Sequence, residues 1–221
     1  MLVSSPFSKE MPASSIYSSE LIITIENYVK NLLKEMLPAI RYFHNINHTI
    51  QVVQKSVELA SFYKISQTDG QALITSAWFH DTGYIHGGLN HEEQSVKIAL
   101  QYLSRFNLTR DYLSTVEHLI LSTKFPAKPS TLIEKILCDA DLQHLGSDDY
   151  MVWSMLLRKE LEHQNGIHLT DEQWTSENIA FFKSHQYFTD HAETVWGIQK
   201  QMNLSLLLEI EKGKSSVKFE R

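Results

Sequence analysis

His80 and Asp81 stand side by side at the end of Ala72–Phe79, a run that reads ALITSAWF. An imidazole and a carboxylate both offer electron pairs to a divalent cation. The dipeptide alone carries little, because a chain with 11 histidines produces one readily by chance. Its setting carries more. A segment apolar on all sides reads as a buried central helix, and a carboxylate delivered to the end of such a helix costs several kcal/mol unless it is paired or bound to metal. Gly83 follows as the expected helix stop.

Two further segments hold residues of the same kind. Upstream, Arg41–Thr49 reads RYFHNINHT, with His44 and His48 four residues apart. That spacing puts two histidines on one helical face, where they can chelate. A cap at Asn45 would leave His44 outside the helix and His48 in its first turn, so the two would not form a simple clip. The H-E-x-x-H protease pattern is absent. Downstream, Ile136–Gly146 reads ILCDADLQHLG. The stripe Ile133, Ile136, Leu137 and Ala140 places Asp141 about 90° from its centre and Asp139 about 110° away on the other side. Periodicity therefore barely separates the two carboxylates. His144 points closer to the apolar centre and reads as a buried, hydrogen-bonded histidine.

The remaining candidates are weaker. Lys124 and Arg41 can contact phosphate, though each reads more readily as a solvated charge. His163 and His168 flank a turn at Asn165-Gly166 and should be exposed. His185 lies among aromatics and reads as structural or as part of a wall. Trp78, Trp153, Trp174 and Trp196 read as core. Cys138 beside Asp139 should have a raised thiol pKa and is a poor nucleophile. No G-x-S-x-G elbow, P-loop or G-x-G-x-x-G is present.

The elements that must position these residues are helical. Gly and Pro together number 13 of 221 residues, well below average usage, and no alternating strand pattern with hairpin chemistry occurs. Leu21, Ile25, Tyr28, Val29, Leu32, Leu33 and Met36 form one apolar stripe ending before Pro38. Asn45 should cap a second helix running to about Tyr63. Capping boxes are expected at Thr68 with Gln71, Asn90 with Glu93, Thr170 with Gln173, and Asp190 with Glu193. Val96 to Phe106 and Leu113 to Ile120 are stripes, and later helices are expected at about 130–145, 148–164, 171–187 and 190–212. The expected architecture is all-α: a flexible arm over 1–19, one domain of about nine helices over 20–212, and a frayed tail over 213–221.

Composition bounds the function. A 25.5 kDa chain can bury roughly 70% of its extended surface, so it needs no staples. A net charge of −6 argues against long nucleic acid and anionic membranes as partners. One cysteine, no apolar run of membrane length and no secretory leader pattern suit a cytoplasmic protein.

Order now adds to residue type: a His, a His-Asp pair after 31 intervening residues, then a carboxylate after 59 more. The chain resembles the HD superfamily of metal-dependent phosphohydrolases in Phe43-His44-Asn45-x-x-His48-Thr49, in Phe79–Tyr84 and in Asp139–Leu142. Asn90–Ser95 and Leu119–Lys124 also look like segments of that family, and the five motifs span about 41–146. The resemblance implies an all-α fold of HD-domain type around one divalent metal, Mn, Fe, Ni, Zn or Mg, held by His48, His80, Asp81 and Asp141. Asp141 is preferred to Asp139 because the family's last ligand usually sits directly before an apolar residue; Asp139 would then support or cap. It further implies hydrolysis of a small phosphate ester or nucleotide by metal-activated water. Asp81 would orient the water, Glu92 would assist the water or hold a ligand histidine, and Lys124 would contact phosphate. His86, His91 and His118 are the positional candidates for a second metal. The alternative is a non-catalytic module that binds metal and nucleotide on the same fold.

Overall fold

A computed structural model describes residues 19–216; all of the expected arm but Ser19, and most of the expected tail, lie outside them. Among the described residues there are nine α-helices and two short 3-10 helices, and no strand. The α-helices are α1 (Glu20–Met36), α2 (Ile46–Phe62), α3 (Gln67–Phe79), α4 (His91–Leu103), α5 (Arg110–Ser122), α6 (Leu132–Asp141), α7 (Tyr150–Asn165), α8 (Asp171–Ser184) and α9 (Asp190–Ser216). The 3-10 helices are Thr82–His86, after α3, and Gln143–Gly146, after α6.

The centre is α3. Every residue from Ala72 to Phe79 is buried, and α1, α2 and α5 pack around it, with α6 against α2. A helix apolar on all faces has no side to give to solvent, so the amphipathic helices must surround it. Ile22, Ile25, Val29 and Leu33 of α1 turn inward, while Met36, the last of its expected stripe, is exposed. Only two polar groups interrupt the middle of α3, and both are satisfied. Thr75 Oγ1 bonds the Tyr112 hydroxyl at 2.7 Å, and Ser76 Oγ donates to the Ala72 carbonyl at 2.8 Å.

Helix starts follow side-chain oxygens that meet orphan N–H groups, with several corrections to the expected caps. Asn45 caps α2 as expected, its Oδ1 accepting from Asn47 N at 2.8 Å. Thr170 and Gln173 form a reciprocal box on α8, as expected. Thr68 does not cap α3: Ser66 accepts from Asp69 N and the helix begins before Thr68. Asn90 precedes α4 but in the left-handed region, without a side-chain cap, and Glu93 instead pairs with Lys124. Thr189 rather than Asp190 caps α9, its hydroxyl accepting from Ala192 N at 3.4 Å. An unforeseen box, Thr131 with Glu134, opens α6.

Two expected helices are shorter or broken. The span 130–145 splits into α6 and a 3-10 helix, and α8 stops at Ser184, leaving 185–189 irregular. Gly83 is not the stop of α3, which ends at Phe79. Its role is close approach: a Cβ there would stand 2.0 Å from the His91 carbonyl oxygen. This contact seats the start of α4 against the turn that follows the His-Asp pair. Gly83→Ala is therefore expected to destabilise the protein by about 1–3 kcal/mol through overpacking, a melting temperature lower by roughly 3–10 °C for a chain of this size. A thermal melt followed by circular dichroism measures it, and an unchanged midpoint would show that α4 yields freely.

Candidate metal centre

Three helix ends converge here. His48 sits in the first turn of α2, His80 caps the C-terminus of α3, Asp81 follows it, and Asp141 is the last residue of α6. Side chains at helix ends can project past the barrel of the helix, which lets separate elements meet at one point. His48 Nε2 lies 3.0 Å from Asp141 Oδ1 and 3.3 Å from Asp81 Oδ2. His80 Nε2 lies 3.2 Å from Asp81 Oδ2 and 3.6 Å from Asp141 Oδ1. The two Nε2 atoms are 3.4 Å apart. His80 is fully buried, whereas the Asp141 side chain keeps 23% of its surface exposed, which marks the open side of the cluster.

This donor set fits a divalent cation. One ligand atom each from His48, His80 and Asp141 lies within 4.8 Å of the others, and Asp81 reaches the same atoms. His80 Nδ1 is 2.8 Å from the Ala77 carbonyl. A carbonyl can only accept, so the proton sits on Nδ1 and the Nε2 lone pair faces the cluster when the ring is neutral, the usual arrangement behind a metal-ligating histidine. Asp81 Oδ2 is buried and in hydrogen-bond geometry with no group among the described residues. A buried carboxylate oxygen without a partner is a site for a positive charge.

The electrostatics agree. Burial opposes charge on both imidazoles, yet Asp141 and Asp81 hold His48 above its ordinary pKa, and Asp81 and Asp141 hold His80 well above it. Burial likewise opposes charge on the carboxylates, but His80 and His48 hold Asp81 well below the usual range, and His48 and His80 lower Asp141. The cluster thus attracts positive charge, as protons when no cation is bound.

The two aspartates of α6 separate cleanly. Asp141 joins the cluster. Asp139, fully buried, faces the irregular segment before α9 and accepts from Phe188 N at 2.7 Å, Thr189 N at 2.8 Å and Thr189 Oγ1 at 2.6 Å. It is a clamp for that segment.

Other expected residues fall at different distances. Glu92 and His91 line a cavity of about 190 Å³ beside Asp81 and Asp141. His91 Nε2 is 3.5 Å from both Asp81 Oδ1 and Glu92 Oε1. His86 and His118 are exposed and make no contact with the cluster. Lys124 is at the surface in an ion pair with Glu93, one residue from Thr123 in the cavity wall. Arg41 is not a solvated charge: it is buried against Glu160 and Gln164. His144 is buried and its Nδ1 has no partner, which corrects the expectation of a hydrogen-bonded ring at that nitrogen; burial pushes its pKa down to about 3. His163 and His168 are exposed, as expected. Trp174 is not core but lines a second cavity. Burial raises the Cys138 thiol to about 12.

One functional group had no sequence signal. Glu160 of α7, 1% exposed, accepts from Phe43 N at 2.8 Å and His44 N at 3.1 Å and meets His44 Nδ1 at 2.6 Å. It anchors the turn that enters α2 and so sets where His48 stands. His44 Nε2 in turn lies 3.2 Å from the Tyr84 hydroxyl.

Residues 45–144 match the HD domain family, and the matched span holds all four clustered residues. The chain contains an HD domain. Its fold is also similar to that of a predicted HD superfamily hydrolase from an uncultured Thermotogales bacterium, with a TM-score of 0.54 at 19% identity over 86% of this chain and 91% of that one. No curated protein matches the chain by sequence. Glu160 and helices α7 to α9 lie beyond the matched HD-domain residues.

Three outcomes are expected of the HD-domain site. Asp141→Ala should empty it of metal, as read by elemental analysis after dialysis. Asp139→Ala should keep the metal but leave the buried Thr189 N–H unpaired, at about 1–3 kcal/mol, and the part-buried Phe188 N–H without its acceptor; metal loss in Asp139→Ala alone would reverse these roles. The third concerns pH. The raised histidine pKa values contribute stability to the metal-free protein that is fully present below about pH 6.5 and is lost as pH rises through the folded-state values. Metal-free protein should therefore melt progressively lower above about pH 6.5, whereas metal binding, which displaces those protons, should tighten over the same range. Melts with and without chelator across this range test it, and a level metal-free profile would contradict it.

Proposed function

We propose that this HD-domain chain is a metal-dependent phosphohydrolase that cleaves a small phosphate ester or nucleotide, with one divalent ion held by His48, His80, Asp81 and Asp141. The observation that carries the reading is the convergence of two imidazole Nε2 atoms and two carboxylates, with Asp81 Oδ2 facing both imidazoles but in hydrogen-bond geometry with neither. A bound divalent ion would supply Lewis acidity, lowering the pKa of a water and offsetting charge on the phosphoryl oxygens.

The chain's own groups do the rest. Asp81 turns Oδ2 to the imidazoles and Oδ1 toward His91 at the smaller cavity. There it orients the attacking water, and buried Glu92 accepts its proton. His44 borders both cavities. With Nδ1–H held by Glu160, its Nε2 can deliver a proton to the leaving oxygen. Lys124 can leave Glu93 at small cost, since exposed ion pairs contribute little, and meet a phosphoryl oxygen at the cavity mouth. A second ion is not part of this reading, because of the three extra histidines only His91 is near the cluster. The single free cysteine supports a reducing, cytoplasmic setting.

A panel of phosphate esters and nucleotides with Mn²⁺, Ni²⁺, Mg²⁺ or chelator tests the proposal. Phosphate release should require metal, and Glu92→Gln should lower kcat by about 10²–10⁴-fold while retaining metal. Stoichiometric metal with no release from any ester would favour the non-catalytic binding module instead.

A further inference from the structure

The larger cavity beside Asp141, about 330 Å³, is built mostly from residues that the chemistry at the cluster does not employ. Phe43, Leu142 and Leu145 form one group of its lining residues, and Leu157, Trp174 and Phe181 a second. The second group comes from α7 and α8, outside the matched HD-domain residues. The volume is at the small end of ligand pockets, and apolar walls with few polar groups are their usual make-up.

Four polar side chains in these walls, Tyr150, Ser154, Trp174 and Asn178, are spent on one another, while the buried Nδ1 of His144 has no hydrogen-bond partner among the described residues. Trp174 Nε1 donates to Ser154 Oγ at 2.9 Å, the Tyr150 hydroxyl donates to Asn178 Oδ1 at 2.5 Å, and Asn178 Nδ2 donates to the Trp174 carbonyl at 2.6 Å. This chain of bonds fixes the Trp174 ring and leaves its apolar face as wall. No lysine or arginine lines the cavity, and its two acidic members, Asp141 and exposed Glu177, carry the wrong sign for an anion. A second phosphate or a carboxylate on the substrate would lose its water there and meet no lysine or arginine.

We propose that this cavity takes the leaving group of the phosphate ester, and that this group is an uncharged, ring-bearing alcohol packed against Trp174. The substrate is then a phosphomonoester whose only anionic group is the phosphate that is removed. The assignment deepens the phosphohydrolase reading and rests on it for the reaction. In that reaction the water oxygen bonds to phosphorus, the bond from phosphorus to the alcohol oxygen breaks, Glu92 takes the water's proton and His44 gives one to the alcohol. His44 and Asp141 border this cavity as well as the smaller one, so the scissile bond would lie where the two spaces meet. Trp174 is the specificity-determining residue.

The test has a kinetic and a binding arm. Metal-loaded protein is assayed with naphthyl phosphate, a carboxynaphthyl phosphate and glycerol phosphate. The kcat/KM for naphthyl phosphate should exceed the other two by about tenfold or more, and Trp174→Ala should cut that preference by a similar factor. In the second arm naphthol, which has no phosphate, is titrated calorimetrically into metal-free protein. It should bind the native chain and lose about tenfold in affinity in Trp174→Ala. Leu157→Arg, at a half-buried wall position, guards against a Trp174 variant that does not fold, and should weaken naphthol in the same way. Equal rates on the three esters, or naphthol binding that is absent or indifferent to both variants, overturns the proposal. Naphthol binding that responds to the variants, in a protein that hydrolyses none of the esters, would uphold the cavity assignment and reject the phosphohydrolase reading.

Discussion

Two imidazoles and two carboxylates are held largely away from water at the end of a central buried helix, and the rest of the structure answers to that burial. Each carboxylate alone would cost several kcal/mol there. The cost is offset because the groups face one another with opposite preferences: Asp81 and Asp141 each look onto imidazole nitrogens rather than onto each other's oxygens. The balance is incomplete, since Asp81 Oδ2 faces both imidazole nitrogens without hydrogen-bond geometry to either. Incomplete satisfaction at the centre of a well-packed domain is what a cation would complete.

Holding such a cluster demands that three helix ends keep their positions, and contacts that reach residues outside the matched HD domain supply part of the bracing. Glu160 uses its carboxylate on two backbone N–H groups, on His44 and on Arg41. Asp139 does the same for the segment leading into α9. Both are buried acids whose job is to tie distant backbone to the site-bearing helices. Substituting either leaves buried donors unpaired, so each should matter beyond the loss of one contact.

The surroundings of Asp141 divide by chemistry. On one side stand Asp81, His91 and Glu92, groups that can hold a cation, a water and a proton. On the other stand aromatic and aliphatic walls in which Tyr150, Ser154, Trp174 and Asn178 bond to one another. His44 belongs to both sides. A site divided in this way suits an ester, which is polar at the phosphorus end and free to be apolar at the other.

The all-α class, the buried character of Ala72–Phe79 and the Asn45 cap were readable locally, because each depends on residues a few positions apart. The order of the motifs, through the resemblance it carried, also pointed to His48, His80, Asp81 and Asp141, the set that converges. Periodicity could not separate Asp139 from Asp141: both lie about equally far from the apolar stripe, and only what packs opposite each decides. Phe188 and Thr189 face one and His48 faces the other, 49 to 93 residues distant. The caps at Thr68, Asn90 and Asp190 failed for a smaller version of the same reason, since a competing oxygen or partner won each position. Glu160, Trp174 and the larger cavity had no local signature, because a cavity is a relation between helices and not a property of any one of them. Sequence determined which residues could do chemistry and which segments would be helical; the packing of α7 and α8 against the α2 entry turn and Asp141 decided what that chemistry can be applied to.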